Sequence, residues 1–234
     1  MEGLPQPLNR YIDHTLLKPN ATDKEFETLL DEAMKYQFAS VCVSPYIASS
    51  IAAALKYSAD IKTCTVVGFP HGNTPLLFKM REVEFFIKKH IKEIDFVLHY
   101  GEILNKKWNN VKLEVNSIGR MCKEAGIVSK CIVETCYLNP IEQIMIFDVI
   151  RQSDVDFIKT STGYGTAGAQ LETVKMWNEM RQDLERPFIK AAGGIKDLQT
   201  ALSFIQAGAN RLGMSASVKV MEEYGQKGKE AYNG

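Results

Sequence analysis

The chain has 234 residues, with 28 Lys and Arg against 28 Asp and Glu, a formal net charge of zero, and 45% apolar and 24% charged positions. That is ordinary soluble globular usage, in a chain long enough for one large domain with a sizeable core. Zero net charge argues against bulk binding to nucleic acid or to an anionic membrane, both of which need a basic excess, but leaves room for a small anion held by local groups.

The five cysteines, Cys42, Cys64, Cys122, Cys131 and Cys136, are odd in number and lack CxxC spacing, so they read as reduced thiols rather than a disulfide framework or a zinc site. No apolar run approaches the roughly 20 residues needed to span a bilayer, and MEGLPQPLNR at the start has no apolar segment of the secretory type. The expected location is the cytoplasm.

Tyr11–Leu16 reads as a first strand, and Asp23–Tyr36 as a helix with Phe26, Leu29, Leu30 and Ala33 at i, i+3, i+4, i+7 and an N-cap at Thr22 or Asp23. The same alternation continues with strand Ala39–Val43 and helix Pro45–Lys56, then strand Lys62–Gly68 and helix Pro75–His90, then strand Glu93–His99 and helix Asn109–Ala125. Strand Ser129–Glu134 precedes helix Pro140–Ser153, Asp156–Thr160 precedes Leu171–Arg181, Phe188–Ala192 precedes Asp197–Gln206, and Asn210–Met214 precedes Ser217–Tyr224. Most strands are unbroken apolar stretches rich in Val and Ile, as expected of a sheet covered on both faces. Several helices start at proline, and Gly126 and Gly208 are placed to close two of them.

Eight such units predict a TIM (β/α)8 barrel, as a single domain over 1–234. An open doubly wound sheet is the alternative, but no GxGxxG opens the chain. The polar segment after about Gly225 is expected to be a mobile tail.

In a TIM barrel the active site lies at the C-terminal ends of the strands. Two strands end on the same plan there: Phe157-Ile158-Lys159-Thr160-Ser161-Thr162-Gly163 and Phe188-Ile189-Lys190-Ala191-Ala192-Gly193-Gly194. A buried ammonium is costly unless compensated, and two at matching depth on adjacent strands suggest that one keeps the other neutral. An ordinary lysine is uncharged only about four times in ten thousand at pH 7, and a pKa lowered by about 3 units, or about 4 kcal/mol, brings that near one half. A neutral lysine attacks carbonyls. The bland alternative, that each lysine snorkels to solvent, fits one lysine better than a matched pair.

Asp95, inside the apolar Glu93-Ile94-Asp95-Phe96-Val97, needs a partner, and the lysine pair provides one. Asp13 either orders the site or hydrogen-bonds Thr15. Gly163, Gly193, Gly194 and Ser215 fall in the loops where barrels often hold phosphate on backbone N–H groups. His14, His71, His90 and His99 show no metal-ligand spacing, and Cys42 is more readily a small buried apolar residue than a nucleophile paired with a histidine. Neither a metal nor a cofactor is expected.

Nearly end to end, the chain resembles the deoxyribose-phosphate aldolase family, the class I, Schiff-base-forming aldolases on a TIM barrel. The resemblance rests on Ile12-Asp13-His14-Thr15-Leu16-Leu17-Lys18-Pro19, Ser40-Val41-Cys42-Val43, Val67-Gly68-Phe69-Pro70-His71-Gly72 and Glu93-Ile94-Asp95, on the two lysine motifs, and on Arg211-Leu212-Gly213-Met214-Ser215. It implies reversible cleavage of 2-deoxy-D-ribose 5-phosphate to acetaldehyde and D-glyceraldehyde 3-phosphate, in deoxyribose phosphate catabolism. It also separates the lysines, which spacing alone leaves interchangeable: Lys159 matches the Schiff-base nucleophile, Lys190 the partner that lowers its pKa, and Asp95 the proton-transfer residue. Gly163, Gly193, Gly194 and Ser215 match phosphate contacts, and Asp13 and Thr162 are expected beside them as substrate-binding residues. Tyr164 stands where some members carry lysine, Ala216 where some carry a second serine, and Tyr232 in the tail is left without a role. The resemblance also implies a homodimer. The competing readings are another lysine aldolase or phosphosugar isomerase on the same barrel, and a catalytically inactive phosphosugar-binding protein.

Overall fold

The computed structural model describes residues 4–58, 60–182 and 184–230. Eight parallel strands form a closed barrel in sequence order: β1 (Ile12–Leu16), β2 (Ser40–Val43), β3 (Lys62–Val67), β4 (Glu93–Val97), β5 (Val128–Ile132), β6 (Phe157–Lys159), β7 (Phe188–Ala192) and β8 (Arg211–Met214). Closure is made by β8 pairing with β1, with Asp13 opposite Gly213. Around the barrel lie α1 (Asp23–Tyr36), α2 (Pro45–Ala54), α3 (Leu76–Lys88), the short α4 (Tyr100–Leu104), α5 (Trp108–Glu124), α6 (Pro140–Arg151), α7 (Leu171–Arg181), α8 (Leu198–Gln206) and α9 (Ser217–Glu230).

Strand alternation sorts the side chains into two populations. Outward-facing Val41, Ile94, Cys131, Ile158, Ile189 and Leu212 meet Leu29, Val83, Ile118, Phe147, Trp177 and Phe204 from the helices in one continuous apolar core. Each such side chain contributes on the order of 1.5–3 kcal/mol by leaving water. The inward face differs: Cys42, Cys64 and Val66 form a small apolar cluster of their own, and the charged residues Asp13, Glu93, Asp95, Lys130, Lys159, Lys190 and Arg211 share that face.

Local signals set the helix ends. The Glu25 carboxylate reaches back to the Thr22 N–H at 2.9 Å, making Thr22 the cap of α1. At α6 the Asn139 side chain accepts from Glu142 N at 3.0 Å while Glu142 accepts from Asn139 N at 2.9 Å, a reciprocal capping box ahead of Pro140.

The sequence does not announce a buried ion pair that ties α3, β4 and α5 together. Lys79 Nζ donates to Val97 O at 2.8 Å and to Glu114 Oε1 at 2.5 Å. Burial pushes the Glu114 carboxyl up, against the attraction of Lys79.

The last helix is longer than its sequence pattern: α9 does not stop at Tyr224 but continues through Gly225 to Glu230. Tyr232 lies outside the described residues. Among the described residues no helix is long and apolar enough to cross a membrane.

Candidate active site

The barrel register places Lys159 directly beside Lys190, the matched depth that the two motifs predict. Asp95 reaches between them: Lys159 Nζ and Lys190 Nζ each donate to Asp95 Oδ2 at 2.7 Å. The two nitrogens are therefore at most two hydrogen-bond lengths apart, in a buried setting where like charges repel strongly. The lysines are not equivalent. Lys159 lines the cleft at the C-terminal mouth of the barrel and keeps 3% side-chain exposure, whereas the Lys190 side chain has none.

Beneath the pair lies a charged layer that sequence reading missed. Lys130, the register partner of Asp95, donates to Asp95 Oδ1 at 2.9 Å and to Glu93 Oε2 at 2.6 Å. Arg211 bridges Asp13 at 2.5 Å and Glu93 at 3.3 Å. Asp13 also accepts from Ser40 Oγ at 2.6 Å, and its Oδ2 lies 2.5 Å from Lys190 Nζ without an aligned hydrogen bond, a contact held by charge. Asp13 thus sits below the lysines, apart from the residues that line the cleft. Thr15 Oγ1 donates to the Asp13 carbonyl rather than to its carboxylate.

The electrostatics follow from this packing. Burial alone would push the Lys190 ammonium down, but Asp13 and Asp95 outweigh it and hold the pKa above the ordinary lysine range. Lys130 is raised in the same way, by Asp95 and Glu93 against its burial. Asp95 is buried as well, yet Lys130, Lys159 and Lys190 hold it well below the usual carboxylate range. The layer contains three carboxylates, Asp13, Glu93 and Asp95, and three cations, Lys130, Lys190 and Arg211. These six charges balance one another, as charges in a water-poor interior must.

The cleft above has a volume of about 360 Å³ and is lined by Lys159, Thr162, Gly163, Gly193, Gly194 and Ser215, five of them expected as phosphate or substrate contacts, together with Lys18 and Lys196. Backbone requirements explain the glycines. Gly193 has φ +85°, and a Cβ there would lie 2.9 Å from Gly168 Cα. Gly213 leaves room for the Lys190 stem, since its Cβ would lie 3.1 Å from Lys190 Cε. Thr162 Oγ1 is held by the buried Glu134. Tyr164 crosses the mouth, its hydroxyl donating to Leu17 O at 2.8 Å and its ring set edge-on to Phe69.

Among the described residues one group could gather around a metal ion, Cys42, Cys64 and Asp95, and the side-chain nitrogens of Lys130, Lys159 and Lys190 already surround its carboxylate. His14 instead pairs with Glu32 at 2.9 Å on the outer face.

Residues 9–221 match the family described as DeoC/LacD family aldolase. The chain belongs to this aldolase family. It is 41% identical over 217 residues to the deoxyribose-phosphate aldolase of Clostridium tetani, covering 92% of this chain and 98% of that one. It is 42% identical over 221 residues to the deoxyribose-phosphate aldolase of Caldanaerobacter subterraneus, covering 94% of each. The DeoC/LacD fold is shared with the tetrameric deoxyribose phosphate aldolase from Aeropyrum pernix, at a TM-score of 0.85 and 32% identity over 93% of this chain and 90% of that one.

Proposed function

We propose that the chain catalyses the reversible aldol cleavage of 2-deoxy-D-ribose 5-phosphate to D-glyceraldehyde 3-phosphate and acetaldehyde, through a Schiff base on Lys159. The observation that carries this reading is the division of labour between the lysines: Lys159 opens to the cleft while Lys190 is sealed beneath it, both on one oxygen of Asp95. Uncharged Lys159 attacks C1 of the open-chain sugar, and loss of water gives an iminium that serves as the electron sink, a role for which other aldolases use a Lewis acid. A water held by Asp95 and Lys190 takes the C3 hydroxyl proton. The C2–C3 bond breaks, its electrons pass into the iminium, and D-glyceraldehyde 3-phosphate departs. The enamine left on Lys159 takes a proton at C2, and hydrolysis frees acetaldehyde and restores the amine.

The phosphate is assigned to the N–H groups around Gly163, Gly193 and Gly194, the Ser215 hydroxyl and the N-terminus of α9, with Thr162 ordering the first of these loops. Such a role suits deoxyribose phosphate catabolism. Borohydride added with substrate is expected to trap an adduct whose peptide map falls on Lys159; an adduct on Lys190, or none, would sink the assignment.

Self-association is proposed as well. Tyr46, Phe78 and Phe85 stay exposed around a groove between α2 and α3, with Arg81 and Glu82 at its rim offering both charges to a second copy. Sedimentation of the purified chain at monomer mass would exclude it.

A further inference from the structure

Cys42 on β2 and Cys64 on β3 are register partners. Both point into the barrel and are buried, with Val66 beside them and Leu17 and Phe69 packed against the cluster. Their sulfurs and a carboxylate oxygen of Asp95 all lie within 4.8 Å of one another. The Cys64 thiol donates to Asp95 Oδ1 at 3.2 Å, and Lys130 donates to Cys64 Sγ at 3.4 Å. Adjacent strands hold register partners about 4.8 Å apart, inside the roughly 4.4–6.8 Å Cα range that a disulfide bridges. Cys122 and Cys131, the other buried thiols, belong to the apolar core instead, on its helix side and on the outer face of β5.

We propose that Cys42 and Cys64 form a reversible disulfide when the protein meets hydrogen peroxide, and that this bond switches off the lysine site. Cys42, as thiolate, attacks one peroxide oxygen. The O–O bond breaks, hydroxide leaves and is protonated to water, and Cys42 becomes a sulfenic acid. Cys64 gives up its proton and attacks the sulfenic sulfur. The S–O bond breaks, and the second hydroxide also leaves as water. Two thiols lose two electrons and two protons, and the peroxide is reduced to two waters. Cys42 is the better attacker: the adjacent Cys64 side chain and the Lys190 ammonium hold its thiol below the ordinary range despite burial, whereas burial pushes the Cys64 thiol up. The oxidant reaches the pair from the cleft, which Leu17 lines directly and Phe69 flanks through its contact with Tyr164.

The disulfide removes the S–H that Asp95 Oδ1 accepts and draws the two sulfurs together beside the carboxylate that positions both lysines. The loss of activity, though not the bond, rests on the role given to Asp95 above. Brief peroxide treatment of the whole protein should lower aldolase activity about tenfold or more, as small misplacements at a reacting centre do. Dithiothreitol should restore it, and non-reducing peptide mapping should show Cys42 joined to Cys64. Cys64→Ala, whatever its starting activity, should keep most of it under the same treatment, and Cys136→Ser should be inactivated like the parent. Equal peroxide sensitivity in Cys64→Ala, or inactivation without the linked peptide, would overturn the proposal. The linked peptide with activity intact would overturn the switch alone, and a borohydride trap on the oxidised protein then reports separately on Lys159.

Discussion

Lys190 is kept cationic by Asp13 and Asp95, and Lys159 shares Asp95 with it. Removing that cation ends a like-charge repulsion at Lys159 and leaves Asp95 Oδ2 to Lys159 alone. Lys190→Met is therefore expected to move the acid limb of the kcat/KM profile up by about one pH unit or more, with Lys190→Arg moving it less. An unmoved limb with lower activity would assign Lys190 to positioning instead. Not every residue in this layer was legible. Lys130 is an inward lysine within a strand, as Lys159 is, but it follows Ser129 rather than a Phe-Ile pair, and no glycine- or hydroxyl-rich turn comes after it. Arg211 opens its strand, where a cation ordinarily reaches solvent, and only barrel closure reveals Asp13 and Glu93 as its partners.

At the scale of elements, the loops after β6, β7 and β8 build the cleft, and their glycines serve backbone geometry first. Gly193→Ala forces a Cβ toward Gly168 and strains a positive-φ turn, at about 1–3 kcal/mol. It should raise KM for deoxyribose 5-phosphate about tenfold while changing the rate with unphosphorylated deoxyribose far less; equal losses on both would argue against a phosphate role. Lys79→Met leaves Glu114 buried without its ion partner and should cost about 3–5 kcal/mol in denaturant unfolding. A loss under 1 kcal/mol would mean that Glu114 simply takes up a proton. The stripe that buries Lys79 was readable, since Lys79, Val83 and Phe86 fall at i, i+4, i+7 on α3, but a lysine on a helix is ordinarily assigned to water. The helix and strand periods were otherwise clear because both sheet faces are covered. The short α4 went unread, and several ends moved by a residue or two, as at α6, which stops at Arg151 rather than Ser153 although its start at Pro140, marked by the reciprocal cap at Asn139, was legible.

For the whole molecule, the buried charges set a pH window. Asp13 and Asp95 are held below their ordinary value of 3.8, so their contribution is present above that value and fades as pH falls through the folded-state pKa. His14 is lowered by burial from 6.5, which adds a loss of stability as pH drops below about 6.5. Lys130 and Lys190 are raised from 10.5, so their contribution is complete below that value and is lost as pH rises through the folded-state pKa. Burial also raises the Cys64, Cys122 and Cys131 thiols from 9.0, so stability begins to fall as pH rises past about 9, and thermal melting should plateau between about pH 7 and 8.5. A melting temperature that peaks near pH 5 would contradict this arrangement of charges.

The pairing of β8 with β1 also bears on how the protein is made. Arg211 reaches Asp13 across 198 positions of sequence. A chain emerging from the ribosome holds Asp13, Glu93 and Asp95 long before it has Lys190 and Arg211 to neutralise them. The barrel therefore cannot seal, nor its interior charges balance, until synthesis is nearly finished. Messages truncated before β8 should yield insoluble, protease-sensitive fragments rather than smaller working barrels.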